Sequence, residues 1–212
     1  METLNKLKRR ILDISYHHKL GHLGSCFSTL PIILEIYEKK REEDIFILSN
    51  GHAGLALYVV LEHFLNQDAE ALFNKHGVHP SYSPEEGIMC SGGSLGQGIT
   101  VGIGYALANP DKNVYVIISD GESYEGSVWE SLRFIQENNI KNIEVYVNMN
   151  GYSALSKLDL NYLSSCLTTF YSDIKLRYTE VEAFQFLKGF GIEAHYKFMS
   201  QEDYESALKE LS

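Results

Sequence analysis

The run Val114-Tyr115-Val116-Ile117-Ile118 constrains this chain more than any other stretch. It is apolar at every position, with no alternation, so as a strand it must be covered on both faces. That is the situation of a parallel sheet between two layers of helices. A second β-rich run, Ile143 to Val147, follows after a helical stretch at 126–138. The intervening helix serves as a crossover, so both strands point the same way. Ile45-Phe46-Ile47-Leu48 reads as a third buried strand, and Ile192 to Tyr196 as a fourth. Apolar spacing predicts helices over 3–19, 28–41, 53–65, 95–108, 180–189 and 201–211. The stretch 74–94, with His76, His79, Pro80, Pro84 and four glycines, reads as one long loop. Strands alternating with helices give an α/β class, a mostly parallel sheet flanked by helices, in a single domain over 1–212.

The apolar share of 44% is a normal globular one and argues against a disordered chain. A net charge of −10 argues against nucleic acid, whose phosphates require a basic face. No apolar run approaches the roughly 20 residues that cross a bilayer. The first twenty residues are charged throughout and lack a signal-peptide apolar core. A cytoplasmic protein without a membrane partner is the expectation. Cys26, Cys90 and Cys166 are odd in number and form no CxxC pair, which suggests buried thiols rather than a zinc site or a disulfide framework.

In parallel sheets ligands gather beyond the carboxyl ends of the strands. Two such ends carry chemistry here: Ser119-Asp120-Gly121-Glu122 after the first strand, and Asn148-Met149-Asn150-Gly151-Tyr152-Ser153 after the second. A carboxylate, an amide oxygen and a backbone carbonyl meeting there form a hard oxygen site suited to Mg2+ or Ca2+. Gly121 lets the backbone approach a phosphate closely. Either dipeptide alone, Asp120-Gly121 or Asn150-Gly151, is equally well an ordinary tight turn.

The spacing Asp120-Gly121, thirty residues, Asn150 resembles the thiamine-diphosphate motif of the transketolase family. Further segments resemble the family in order: Gly21-His22-Leu23-Gly24, Ser49-Asn50-Gly51-His52, Gly77-Val78-His79-Pro80 and Gly93-Ser94-Leu95-Gly96-Gln97-Gly98. The resemblance covers about residues 5 to 155 and implies a thiamine-diphosphate-binding fold of the diphosphate-holding type. It implies that Asp120, the Asn150 amide and the Tyr152 carbonyl hold Mg2+ (or Ca2+). His52 and the Gly121 backbone then meet the diphosphate of thiamine diphosphate, and Gly93 and Leu95 line its aminopyrimidine pocket. His22 and His79 face the reacting carbon and the donor's hydroxyls, and Glu125 lies in a carboxylate network at the subunit contact.

Three positions depart from the family pattern: Ser119 stands where glycine is usual, Asn148 replaces a common aspartate, and Ala154 replaces a larger apolar residue. Outside the motifs His17, His18, His63 and His195 read as structural, while His76 fits either role. Trp129 and Tyr124 read as packing residues near an interface.

The resemblance further implies the amino-terminal subunit of a split transketolase-like enzyme, a transferase moving a two-carbon ketol unit from a ketose (phosphate) to an aldose. The pyrimidine-binding and C-terminal domains are expected on another chain. The expected partners are therefore a C-terminal (pyrimidine-domain) transketolase subunit, plus a second copy in a homodimer contact, with turnover only in the assembly. A 1-deoxyxylulose-5-phosphate synthase-like or 2-oxo acid decarboxylating subunit shares the metal motif, and a non-catalytic cofactor-binding subunit is a third reading. Ser49 to His52 and Gly93 to Gly98 favour transketolase.

Overall fold

A computed structural model of the chain describes residues 2–211. Met1 and Ser212, the ends of the expected 1–212 domain, lie outside the described residues, as does the side chain of His195. Strands β1 (Ile45–Leu48), β2 (Val114–Ser119), β3 (Ile143–Met149) and β4 (Lys175–Tyr178) form one sheet in the order β1-β2-β3-β4. Every pairing is parallel, with Ile45 opposite Val114, Val114 opposite Ile143 and Tyr146 opposite Lys175.

Alternate strand residues enter two separate cores. Ile45, Ile47, Val116, Ile118, Val145 and Val147 face helices α5 (Gln97–Ala108), α6 (Gly126–Glu137) and α7 (Leu160–Phe170). Phe46, Leu48, Tyr115, Ile117 and Tyr146 face α1 (Glu2–His18), α2 (Leu23–Lys39) and α3 (Gly54–Leu65). Burial on both faces is why these strands are continuously apolar. Helix α5 lies directly on β2 because Gly102 has no side chain: a Cβ there would stand 2.5 Å from Val116 Cγ2. No helix among the described residues is long and apolar enough to cross a membrane.

The expected strands at 45–48, 114–118 and 143–147 and the helices near 3–19, 53–65, 95–108, 126–138 and 201–211 are present, the last as α8 (Gln201–Glu210). Helix α2 starts five residues earlier than expected. His22 adopts a left-handed turn (φ 60°) that launches the helix at Leu23, and Gly24 inside it abuts Val181, a Cβ there falling 3.0 Å from Val181 Cβ. Helix α4 (Ala69–His76) shortens the expected loop from its front; it starts on Asp68, whose carboxylate accepts from the Glu70 and Ala71 N–H groups. Helix α7 was likewise unexpected and is capped by Asp159, which accepts from the Asn161 and Tyr162 N–H groups.

Two expectations are corrected. Residues 180–189 hold only a 3-10 turn at Gln185–Leu187, and instead of a strand over 192–196 there is a second 3-10 turn at Gly191–His195, with Tyr196 just after it. The sheet edge beside β3 is already taken by β4. Gly189 and Gly191 both have positive φ, and their N–H groups donate to the Glu182 carboxylate rather than to a ladder. This segment packs Phe184, Phe186 and Leu187 onto the α1–α3 side of the core.

Candidate functional site

A cavity of about 250 Å³ opens beyond the carboxyl ends of β1, β2 and β3. It is lined by His22, His52, His79, Gly93, Leu95, Gly121, Asn150 and Tyr152, eight residues singled out from sequence, together with Ser119, Ser153, Ala154 and Tyr196.

Backbone contacts bring these groups together. β1 ends in the Asn50–Ala53 turn, where Gly51 lies against the loop at 91–93; a Cβ on Gly51 would fall 2.6 Å from Gly92 Cα. That close approach sets His52 beside the loop carrying Gly93. Gly93 itself (φ +102°) lies over the His79 ring, 3.5 Å from its Cγ to a Cβ position. His22, held in its left-handed turn, puts its ring centroid 5.9 Å from that of His52. Burial lowers the His22 imidazole below its ordinary value, with neighbouring His79 adding to the effect. A neutral His22 is thereby favoured near pH 7.

The turns after β2 and β3 touch at the floor. Ser119 pairs with Asn148 in register, and one step on the Asp120 carboxylate accepts from Gly151 N at 2.6 Å and from Gly121 N at 3.0 Å. Asp120 is fully buried and does not line this cavity; it borders a separate pocket with Trp129 and Asp159, and among the described residues no Lys, Arg or His forms an ion pair with it. Burial pushes its carboxyl up to about 7, against the pull of those backbone donors. The Asn150 amide oxygen accepts from Tyr152 N at 3.0 Å, and the Tyr152 carbonyl lies 3.7 Å from where a Gly121 Cβ would be. No group of three His, Cys, Asp or Glu side chains among the described residues could hold a metal. A cation here would therefore rest on one carboxylate plus amide and carbonyl oxygens. This donor set is hard, and a buried unpaired carboxylate fits a divalent cation.

Glu122 ties three of these loops together. It is fully buried and accepts from Ser49 Oγ at 2.6 Å, Gly96 N at 2.8 Å and Ser119 N at 2.9 Å. Burial raises its carboxyl above the ordinary range against these donors. Ser119, the departure from glycine, accepts from Glu122 N and completes a capping box. Asn148, the departure from aspartate, is buried and donates to Ser28 Oγ and Thr29 Oγ1.

Glu125 does not line the cavity; it is exposed, with its Cβ against the position a Gly96 Cβ would take. His76 lies elsewhere, bonded to Glu86 at 2.8 Å, and His18 pairs with Glu70 at 2.9 Å. Trp129 donates to the Ser123 carbonyl and meets Phe170 edge-on, while Tyr124 is exposed. Tyr196 is a lining residue that sequence reasoning missed. Its ring stands 5.9 Å from His22, edge to face, and it belongs to the segment expected as a strand.

Residues 2–172 match the family model described as the transketolase thiamine diphosphate binding domain. The chain is 30% identical over 174 residues to one of the subunits of the apulose-4-phosphate transketolase of Phocaeicola vulgatus, covering 71% of this chain and 62% of that protein. It is 32% identical over 161 residues to the transketolase of Mycoplasma genitalium, covering 61% of this chain and 25% of that one. The match thus spans less than two thirds of either relative. In fold, the transketolase of Campylobacter jejuni superposes with a TM-score of 0.77 at 17% identity, over 99% of this chain and 42% of that one.

Proposed function

From the premise that this chain belongs to the transketolase family, through its thiamine-diphosphate-binding domain, we propose that it is the diphosphate-holding subunit of a split transketolase-like transferase. The carrying observation is the buried Asp120, without an ion-pair partner among the described residues, bonded to the Gly121 and Gly151 N–H groups behind a cavity whose lining includes Gly121, Asn150 and three histidines. The Phocaeicola relative is named as a single subunit of its transketolase, which supports a partner chain here. On this reading a C-terminal subunit supplies the pyrimidine-binding half, and a second copy of this domain meets the first through the surface carrying Glu125.

Asp120, the Asn150 amide oxygen and the Tyr152 carbonyl would hold Mg2+ or Ca2+, whose charge would favour the ionised Asp120 carboxylate. His52 and the Gly121 N–H meet the diphosphate, and Gly93 and Leu95 border the aminopyrimidine. When bound, thiamine diphosphate supplies a carbanion equivalent at its thiazolium C2. The chain's own work is to bind, orient and move protons. His22, kept neutral, accepts a proton from a sugar hydroxyl or donates a hydrogen bond to its oxygen, and His79 across the cavity does the same for a second oxygen. The substrates on this reading are a ketose (phosphate) donor and an aldose acceptor.

Calorimetric titration of thiamine diphosphate with Mg2+ tests the reading, with the chain alone and together with a candidate pyrimidine-domain subunit. Binding should need the metal, tighten with the partner and vanish in Asp120→Ala. Absence of metal-dependent binding in both formats would overturn it.

A further inference from the structure

Asn150 can serve a cation only if its amide presents oxygen, and not nitrogen, to the metal. One hydroxyl on α2 bears on that choice. Ser28 Oγ is buried at the meeting point of three polar groups: it donates to the Ser25 carbonyl at 3.2 Å and lies 3.0 Å from Asn148 Nδ2 and 3.4 Å from Asn150 Nδ2. A hydroxyl has one proton and two lone pairs. In this arrangement the single proton goes to the Ser25 carbonyl, which can only accept. Both lone pairs must then receive donors, and only the NH2 ends of Asn148 and Asn150 qualify. If Asn150 were flipped, its oxygen would meet Ser28 only by drawing the hydroxyl proton off the Ser25 carbonyl, and its NH2 group would face the Tyr152 N–H, from which the amide oxygen now accepts at 3.0 Å.

Resting on the metal reading above, we infer that Ser28 is a positioning residue for the cation: it holds the Asn150 amide with oxygen toward the metal, from a helix 122 residues away in sequence. Neighbouring Thr29 has a separate task. Its Oγ1 accepts from Asn148 Nδ2 at 3.0 Å and from Asn50 Nδ2 at 3.0 Å, and is not paired with Asn150. Thr29 is also fully buried. The two hydroxyls therefore separate metal orientation from general support of the same polar layer.

The test reads Mn2+ affinity of the full chain, by water-proton relaxation enhancement in the presence of thiamine diphosphate, beside thermal unfolding. Ser28→Ala should weaken Mn2+ by at least about tenfold, the scale for groups that orient metal ligands. Ser28→Thr, which keeps the hydroxyl, should stay within about threefold of the parent, well short of that loss. Thr29→Val should lower the unfolding temperature yet leave Mn2+ affinity within about twofold, since it spares the ligand's own anchor. If Ser28→Ala does not fold, Ser28→Cys takes its place with the same expected direction, because sulfur is a weak acceptor. Equal affinity losses in Ser28→Ala and Thr29→Val would overturn the inference, as would an unchanged Ser28→Ala. Asp120→Ala separates the two levels. If it leaves Mn2+ binding intact, or if the parent forms no Mn2+ complex either alone or with the pyrimidine-domain subunit, the metal site itself is refuted; if it abolishes binding while Ser28→Ala does not, only the positioning role fails.

Discussion

Helix α5 contains two glycines whose replacement by alanine should have opposite effects, although helix propensity treats them alike. Glycine costs roughly 0.5–1 kcal/mol relative to alanine in a helix interior, so both changes gain that amount in principle. At Gly104 nothing lies within 4 Å of the new Cβ, and the gain should be realised in full. At Gly102 the Cβ would stand 2.5 Å from Val116 Cγ2, with Ile143 and Ile47 Cδ1 at 3.6 Å. Carbon atoms in contact sit about 3.5–4.0 Å apart, so helix and sheet would have to separate by about an ångström. Val116 cannot turn aside, because a β-branched side chain is stiff at χ1 and this one is fully buried. Overpacking of this kind costs about 1–3 kcal/mol.

The two variants should therefore differ by about 1–3 kcal/mol, Gly104→Ala being the more stable. For a chain of this size that is a gap of about 2–12 °C in unfolding temperature. Thermal and urea unfolding of both variants provide the comparison. A Gly102→Ala, Val116→Ala double variant should cost less than the sum of its parts, because the new methyl occupies the space the valine vacates. Equal stabilities for Gly102→Ala and Gly104→Ala, or additive behaviour in the cycle, would refute the packing argument.

Glu122→Ala orphans the buried Gly96 and Ser119 N–H groups, at about 1–3 kcal/mol each, and should weaken thiamine diphosphate binding by releasing the loop that carries Gly93 and Leu95. Denaturant unfolding and calorimetry check this, and a variant as stable as the parent would refute it. Glu86 accepts from Lys75, His76 and Ser83, and its carboxyl is drawn down from 4.5 to about 2, chiefly by the Lys75 bond. A lowered carboxyl stabilises the fold fully above its ordinary value and loses that contribution as pH falls through the folded one. The pH–stability profile should accordingly drop between 4.5 and 2, and Glu86→Gln should flatten it over that window.

The parts of the fold legible in the sequence are those whose burial is symmetric or whose turns are chemically marked. β2 and β3 announced themselves because both faces are covered, and Asp120 and Asn150 because each ends such a strand. β4 did not, since Lys175–Tyr178 is a half-covered edge whose Arg177 is committed to Glu35 at 2.6 Å and carries no apolar signal. Helices α4 and α7 could have been found from Asp68 and Asp159, each one residue ahead of a helix whose first N–H groups it caps. Tyr196 had no such sign: it reaches the cavity because positive-φ glycines and Glu182 fold its segment back over the core. The Ser28 contact, likewise, exists only once α2 crosses the end of β3.

The charge balance explains why the site is built in this manner. The chain carries a net charge of −10, and no Lys or Arg is among the described residues lining the cavity. On the proposed reading a diphosphate anion must approach Asp120, and two like charges about 4 Å apart repel by about 4 kcal/mol at a dielectric typical of protein surfaces. Without a cation, burial disfavours the charged form and raises the carboxyl to about 7. On that reading a divalent metal would remove both penalties together, favouring ionised Asp120 and giving the phosphates a positive partner. Metal and anion are then coupled, each strengthening the other by the same free energy. The fold needs no basic patch to hold a phosphorylated ligand, only hard oxygens at two adjoining strand ends and a second layer, Glu122 and Ser28, that keeps those ends in place.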